Sequence, residues 1–172
     1  MAENLPEFWL RGPLNDVPAL LQPVAHALLQ AADEIKEMML DFTAELLWER
    51  PAGVASPGFH LLHIVGVLDR LTTYANGKQL SIEQLQYLKE ETTSQTASAK
   101  ELVAALETQV HRTINQLKST DPNHITDVRT VGRKALPSTV NCLLFHAAEH
   151  TMRHTGQLLV TVKVLKAGSN SL

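Results

Sequence analysis

Along four stretches of the chain, apolar residues recur at steps of three and four with polar residues between them. This spacing places the apolar side chains on one face of an α-helix. The first stretch predicts a helix from Ala19 to about Trp48, with Pro23 in its first turns, where the missing N–H is least harmful. Its apolar face comprises Leu21, Val24, Leu28, Ile35, Met39, Phe42 and Leu46. Residues 1–18 contain several prolines and a glycine, so they predict an irregular N-terminal arm, which Trp9 would pin to the helices.

Local capping signals bound the other three long helices. Serine caps a helix, proline fits its first turn, and glycine or proline ends it. The opening signals are Ser56-Pro57, the capping box Ser98-Ala99-Lys100-Glu101, and Pro137-Ser138. The closing signals are Asn76-Gly77, Asp121-Pro122 and, after about Ala167, Gly168. Helices are therefore predicted from about 57 to 75, from 98 to near 121, and from about 139 to 167.

The two longest connections differ in their predicted content. Residues 76–97 are polar, and Ser81-Ile82-Glu83-Gln84 has the spacing of a capping box, which predicts a short helix over about 81–90. A connection of this length suits a crossover between helices that run in the same direction. Residues 120–137 mix turn-forming and charged residues with a β-prone piece, Ile125 to Val131, and predict a structured loop.

Composition indicates one domain over residues 1–172. The chain is 44% hydrophobic but only 5% aromatic, so its core is filled mainly by aliphatic side chains, which favours an all-α four-helix bundle with a long crossover between the second and third long helices.

The net charge of −3 provides no basic face for nucleic acid or an anionic membrane. Cys142 is the single cysteine, and no uncharged apolar stretch of about 18 residues occurs. These features predict a cytoplasmic protein, and an apolar face left over on one long helix would support a homodimer.

Five of the eight histidines lie in two of the predicted helices, which is the strongest chemical signal in the sequence. His60 and His63 lie in the second long helix, and His146, His150 and His154 lie in the fourth. Residues four apart lie one turn above each other, so His150 and His154 can point at one ion. A third histidine from a facing helix would complete a three-nitrogen site with an open position. Such a site suits a divalent transition metal, with zinc or nickel favoured over iron, cobalt or manganese.

The helical wheel indicates which histidines of the fourth long helix are the better candidate ligands, but it does not do so for the second long helix. His150 and His154 continue the line of the buried face of the last helix, whereas His146 lies further round with charged residues. In the second helix, His60 falls within the apolar arc and His63 lies at its edge, so either of them could face the last helix.

The sequence around these histidines resembles that of the DinB superfamily. The segment Ser56–Gly66, SPGFHLLHIVG, resembles the second-helix motif of that family, and His150–Gln157, HTMRHTGQ, resembles its last-helix motif. The order of four helices with a long connection after the second also agrees. The resemblance implies a metal held by His63, His150 and His154. It leaves His60 and His146 as neighbours of the ligands or as their substitutes.

The resemblance implies a metal but no single activity. One hypothesis is an enzyme, a metal-dependent transferase in which the ion activates a small thiol that attacks an electrophilic substrate. Arg70 and Tyr74, on the His63 side of the second helix, would line its pocket. The alternative is a non-catalytic metal-binding or stress-associated protein, which a fourth ligand such as Glu149 or Cys142 would favour by closing the site.

Overall fold

The apolar faces of four long helices meet in one hydrophobic core. The computed structural model describes residues 5–169. In chain order the elements are α1 (Gln22–Met38), α2 (Pro57–Ala75), α3 (Ile82–Glu90), α4 (Ala99–Ser119), β1 (Val128–Val131), β2 (Leu136–Thr139) and α5 (Val140–Ser169). The helix α5 packs along both α1 and α2, and α4 packs against the same two helices. The two histidine-bearing helices are therefore neighbours.

The helix α1 is shorter than its apolar pattern predicts. It follows a 3-10 helical turn and ends at Met38, about ten residues before the predicted end. The chain then passes through Asp41, whose φ of 55° lies in the left-handed region and interrupts helical geometry. Phe42 and Leu47 are nevertheless buried. The apolar pattern continues past the helix because the following loop also contributes side chains to the core.

Side-chain caps begin α2, α3 and α4 where the sequence predicts. Ser56 Oγ accepts a hydrogen bond from the backbone N–H three residues later (3.2 Å). Ser81 and Ser98 form capping boxes with Gln84 and Glu101, respectively. These bonds satisfy N–H groups that have no partner inside the helix. The predicted starts of these three helices are confirmed.

The crossover between α2 and α4 lays α3 against α2. Gln116 Nε2 donates to the carbonyl of Thr72 (2.9 Å), which places the C-terminal ends of α2 and α4 side by side, as expected for helices that run in the same direction. Tyr87 Oη donates to the carbonyl of Leu62 (3.1 Å) and holds α3 over the N-terminal half of α2. Glu91, the residue that follows α3, is thereby brought into a buried position beside α2.

A β-hairpin between α4 and α5 occupies part of the predicted structured loop. The strands β1 and β2 pair antiparallel, and Arg129 Nε donates to the carbonyl of Ala75 (2.9 Å). This bond ties the hairpin to the C-terminal end of α2. The helix α5 begins directly after β2 and includes Gly168, which the sequence predicts beyond its end. Gly168 lacks the left-handed backbone conformation typical of a glycine that ends a helix.

Hydrogen bonds, rather than Trp9, attach the N-terminal arm to α1. Trp9 is 63% exposed, so its predicted role in pinning the arm is wrong. Instead, the Phe8 N–H donates to Gln30 Oε1 (3.1 Å), and the side chain of Gln22 donates to two carbonyls of the arm. Residues 1–4 of the predicted arm lie outside the described residues.

Within residues 5–169, no single helix is long and apolar enough to cross a membrane. The segment Ala44–Gly53 meets the length and composition requirements only in combination with α2, at a bend of 92°. The apolar composition of α2 fits its place in the bundle, because most of its residues are buried.

Candidate metal centre

Histidines of α2 and α5 face each other where the two helices pack. His60 Nδ1 lies 2.9 Å from His154 Nδ1, and His63 Nε2 lies 3.0 Å from His150 Nε2. The earlier histidine of α2 thus meets the later histidine of α5, as expected for helices that run in opposite directions. His60 and His63 are three residues apart, and His150 and His154 are four apart. Both pairs can face the neighbouring helix, because residues three or four apart lie on the same face of a helix.

His63, His150 and His154 form a group whose candidate ligand atoms all lie within 4.8 Å of one another. The ring centroid of His154 lies 4.5 Å from that of His150 and 4.7 Å from that of His63. In the part of the chain that the structure describes, no carboxylate or thiol belongs to this group. The structure therefore brings together the three histidines predicted as ligands, and the group could hold a metal ion.

Burial favours the neutral form of the His60, His150 and His154 side chains. Desolvation, reinforced by the neighbouring His63, lowers the pKa of His60 to about 4 and that of His150 to about 4. The same causes lower the pKa of His154 to about 3. Because a metal binds the neutral imidazole, these rings need not lose a proton before they coordinate at neutral pH.

The donor set fits a tetrahedral transition-metal ion. Two imidazole nitrogens that each lie about 2.0–2.1 Å from a tetrahedral ion are about 3.3–3.4 Å apart. The facing Nε2 atoms of His63 and His150 are 3.0 Å apart, so a small outward movement of the rings admits the ion. Three neutral nitrogen ligands suit zinc, nickel, iron or cobalt, and they leave a fourth position for water or a substrate atom.

The other ring nitrogen has a different environment in each of the three histidines. His63 Nδ1 lies 2.8 Å from Glu91 Oε2, and His154 Nδ1 contacts His60. His150 Nδ1 is buried without a hydrogen-bond partner, the one such side-chain atom within residues 5–169. Only His63 therefore contacts a carboxylate through its second nitrogen.

Glu91 is the residue at this site that sequence reasoning misses. It lies in the connection predicted to be polar, yet its side chain is 2% exposed, and Arg70 Nη1 donates to its second oxygen (2.5 Å). Arg70 provides the signal that could have found it. An arginine seven residues after His63 lies on the same face of α2, and a buried arginine requires an acidic partner.

Arg70 and Tyr74, which are predicted to line a pocket, are both buried side chains. The Arg70 side chain is buried in its ion pair with Glu91, so it reaches the histidines only through that carboxylate. Tyr74 is buried in the hydrophobic core, about 16 Å beyond His63 along the helix axis. The helical wheel placed both residues on the correct side of α2 but could not show how deeply they are buried.

The remaining predicted residues lie at the edge of the site. His146 is half exposed, and its Nδ1 lies 3.1 Å from Glu149 Oε2. With His150, these two residues form a second group whose ligand atoms lie within 4.8 Å of one another. Cys142, the other residue suggested as a fourth ligand, is exposed.

A cavity of about 540 Å³ lies beside His60, between α5 and the turn that precedes α2. Val54, Ala55 and Val160 contribute apolar surface to its lining, and Arg153 and Gln157 contribute polar groups. A small molecule in this cavity would contact the same stretch of α5 that carries the histidines.

Comparison with known proteins agrees with the helical fold described above. The sequence model of the DinB superfamily matches residues 15–158. The chain belongs to the DinB superfamily. No curated protein matches this superfamily member.

Solved structures of three bacterial proteins share the DinB-like fold. A conserved protein of Enterococcus faecalis is 19% identical, with a TM-score of 0.67 over 86% of this chain and 97% of that one. The DinB-like protein YjoA of Bacillus subtilis is 17% identical, with a TM-score of 0.62 over 84% and 92% of the two chains. A protein of Streptococcus pneumoniae is 16% identical, with a TM-score of 0.62 over 84% and 88%. At these identities the similarity shows the fold alone.

Proposed function

We propose that this DinB-superfamily protein binds one divalent transition metal through His63, His150 and His154, and transfers a small thiol to an electrophile at the open metal position. The observation that carries the proposal is the convergence of three imidazoles from two helices, with ligand atoms within 4.8 Å of one another. Zinc and nickel are the favoured ions, because imidazole is a common zinc ligand and nitrogen ligands generally bind nickel more tightly than cobalt, iron or manganese.

A bound ion would hold the thiol sulfur and lower its pKa, so that thiolate forms near neutral pH. The reaction forms a carbon–sulfur bond, expels the leaving group of the electrophile, and releases the thiol proton to solvent. The cavity beside His60 supplies an apolar wall for the electrophile. Arg153 and Gln157 supply a cation and an amide that can bind the carboxylate or amide groups of a small thiol.

A non-catalytic metal site is the second candidate, and the position of His60 favours it. His60 Nδ1 lies 2.9 Å from His154, so a fourth imidazole is close enough to move into the coordination sphere. Four protein ligands would close the site and leave no position for a thiol, as in structural zinc sites. In that case the metal would stabilise the contact between α2 and α5.

Metal analysis tests both candidates. Elemental analysis of tag-free protein should find about one transition-metal ion per chain, and the double variant His150→Ala, His154→Ala should contain none. The matched control is His124→Ala with His111→Ala, which removes two histidines outside α2 and α5. Absence of metal from the native protein after incubation with zinc or nickel would contradict the proposal.

A thiol assay on the metal-loaded protein then separates the two candidates. Turnover of cysteine or glutathione with a fluorogenic electrophile should depend on the metal and disappear in the double histidine variant. A metal-loaded protein without turnover, whose affinity falls in His60→Ala, would instead support the closed, non-catalytic site.

A further inference from the structure

The buried carboxylate of Glu91 uses both of its oxygens. Oε1 accepts a hydrogen bond from Arg70 Nη1 (2.5 Å), and Oε2 lies 2.8 Å from His63 Nδ1. The Glu91 side chain is 2% exposed and that of Arg70 is 10% exposed. A buried charged side chain is tolerated only when well-placed ion pairs and hydrogen bonds offset its loss of contact with water.

We propose that Glu91 is a positioning residue that fixes the tautomer and the ring orientation of His63. An ionised carboxylate only accepts hydrogen bonds, so the proton of the His63 ring must lie on Nδ1. Nε2 then carries a lone pair directed at His150, 3.0 Å away. This inference extends the proposed metal site, but the tautomer of His63 does not depend on the metal.

Arg70 fixes the carboxylate in turn. Its guanidinium binds the oxygen that His63 does not contact, so the carboxylate cannot rotate away without breaking an ion pair. Phe59 stacks on the His63 ring, with ring centroids 5.1 Å apart and an angle of 13° between the two rings. The imidazole is thus held in its plane by a hydrogen bond and across its face by an aromatic ring.

Gly66 provides the space that this arrangement requires. A Cβ at this position would lie under 3.0 Å from Glu91 Oε1, Arg70 Nη1 and the Tyr87 ring. Glycine within a helix costs about 1 kcal/mol relative to alanine. Its presence in the middle of α2 is explained by the ion pair that crosses the helix surface at that point.

The contrast among the three ligands supports a specific role for Glu91. His154 contacts only another imidazole through its second nitrogen, and His150 Nδ1 has no partner. A carboxylate on the second nitrogen of a ligand histidine fixes its tautomer and makes it more basic, and its loss typically lowers metal affinity 10- to 100-fold. His63 is the ligand to which this effect applies.

The first experiment measures the His63 tautomer without metal. Long-range ¹H–¹⁵N NMR of the apo-protein should show a protonated Nδ1 and an unprotonated Nε2 for His63. In Glu91→Gln the population should shift toward the Nε2–H form. The double variant Arg70→Met, Glu91→Met leaves no buried charge and no acceptor beside His63 Nδ1, so it should show the same shift, which guards against unfolding of the single variant. An Nε2–H tautomer in the native protein, or no shift in either variant, would overturn the proposal.

The second experiment measures metal affinity, with Asp127→Asn as the matched control because Asp127 contacts the exposed His124, which lies outside α2 and α5. Competition with a chromogenic chelator should show zinc binding 10- to 100-fold weaker in Glu91→Gln and in the double variant, and unchanged in Asp127→Asn. The visible spectrum of the Co²⁺ form should also change in the two Glu91 variants.

The two experiments separate failure of this inference from failure of the proposed function. Native zinc affinity in both Glu91 variants, together with loss of metal from the His150, His154 double variant, would overturn the role of Glu91 and leave the metal site intact. If the native protein binds no metal, the proposed function fails, and the tautomer measurement alone decides whether Glu91 positions His63.

Discussion

Two groups of the same residue types flank His150. The inner group is Arg70, Glu91 and His63, and the outer group is Arg153, Glu149 and His146. In each group a glutamate contacts both an arginine and the Nδ1 atom of a histidine. The inner glutamate is 2% exposed and the outer glutamate is 35% exposed. The two groups therefore share their chemistry and differ mainly in their access to water.

The two groups also differ in how the chain assembles them. The outer group lies on α5 alone, at spacings of three and four residues, so local helix geometry brings it together. The inner group joins α2 to the residue after α3 and exists only when the crossover is folded. Charged residues cluster easily on an exposed helix, where water screens them, and such pairs contribute little. Because the inner group is buried, we expect it to affect both the free energy of unfolding and the properties of the adjacent imidazoles.

The largest expected effect is on stability, from removal of the inner arginine. Arg70→Ala should lower the free energy of unfolding by about 3–5 kcal/mol, because it leaves a buried carboxylate without its cation. Arg153→Ala, the corresponding change in the outer group, should cause no measurable change. Urea denaturation of the two apo-proteins provides the comparison, and equal midpoints would show that the inner ion pair does not differ energetically from the outer one.

The next effect concerns metal binding. His63→Ala should weaken zinc binding more than about 100-fold, because removal of a ligand exceeds the loss caused by removal of a ligand's partner. His146→Ala should change it less than twofold if the inner histidine is the ligand. Chelator competition measures both affinities. The reverse order would place the ion in the second group, among His146, Glu149 and His150.

Two helical glycines provide a third comparison. Gly66→Ala should lower the free energy of unfolding by about 1–3 kcal/mol, because the added methyl group meets the inner ion pair. Gly156→Ala in α5 has nothing within 4 Å of the added Cβ, so it should stabilise the protein by up to about 1 kcal/mol. Thermal and urea denaturation measure both changes. Stabilisation by Gly66→Ala would contradict close packing around the inner group.

The smallest expected effect is a dependence of apo-protein stability on pH. The folded pKa of His60 and His150 is about 4 and that of His154 about 3, whereas unfolded histidine has a pKa near 6.5. Between these values the unfolded chain binds more protons, so stability is fully present above about pH 6.5 and declines as the pH falls toward 4 and below. The decline should be on the order of 1–2 kcal/mol, since His150 and His154 are partly exposed.

Urea denaturation of the apo-protein at several pH values measures this decline. His154→Asn should make the decline shallower, with His124→Asn as the control for loss of an exposed histidine. An apo-protein whose stability does not change from pH 7 to pH 4.5 would contradict the desolvation of these rings.

Local signals in the sequence predict much of this fold. Ser56, Ser81 and Ser98 mark helix starts because capping depends on a few adjacent residues. The end of α1 is predicted wrongly, since apolar periodicity does not distinguish a helix from a loop that packs on the same core. The predicted β-prone piece, Ile125 to Val131, contains β1, but the second strand is not predicted, because the pairing of the two short strands is a contact between segments.

The candidate site was predictable in part. The spacing of His150 and His154 indicates a shared face of α5, and the resemblance to the DinB superfamily selects His63 from α2. Spacing alone could not choose between His60 and His63, because a residue within the apolar arc and one at its edge could both face the last helix. Glu91 could not be found in this way, since its burial depends on how α3 packs against α2.

The position of Glu91 at the end of α3 would link metal binding at the proposed site to the local opening of that helix. Short helices held by few buried side chains are among the first segments to open in native proteins. Each opening of α3 would carry the carboxylate away from His63, so the open molecules would hold the ion more weakly. By thermodynamic linkage, the ion then favours the closed form to the same extent. Amide hydrogen exchange in α3 should therefore slow when the ion binds, although α3 is far along the chain from the proposed ligands on α5.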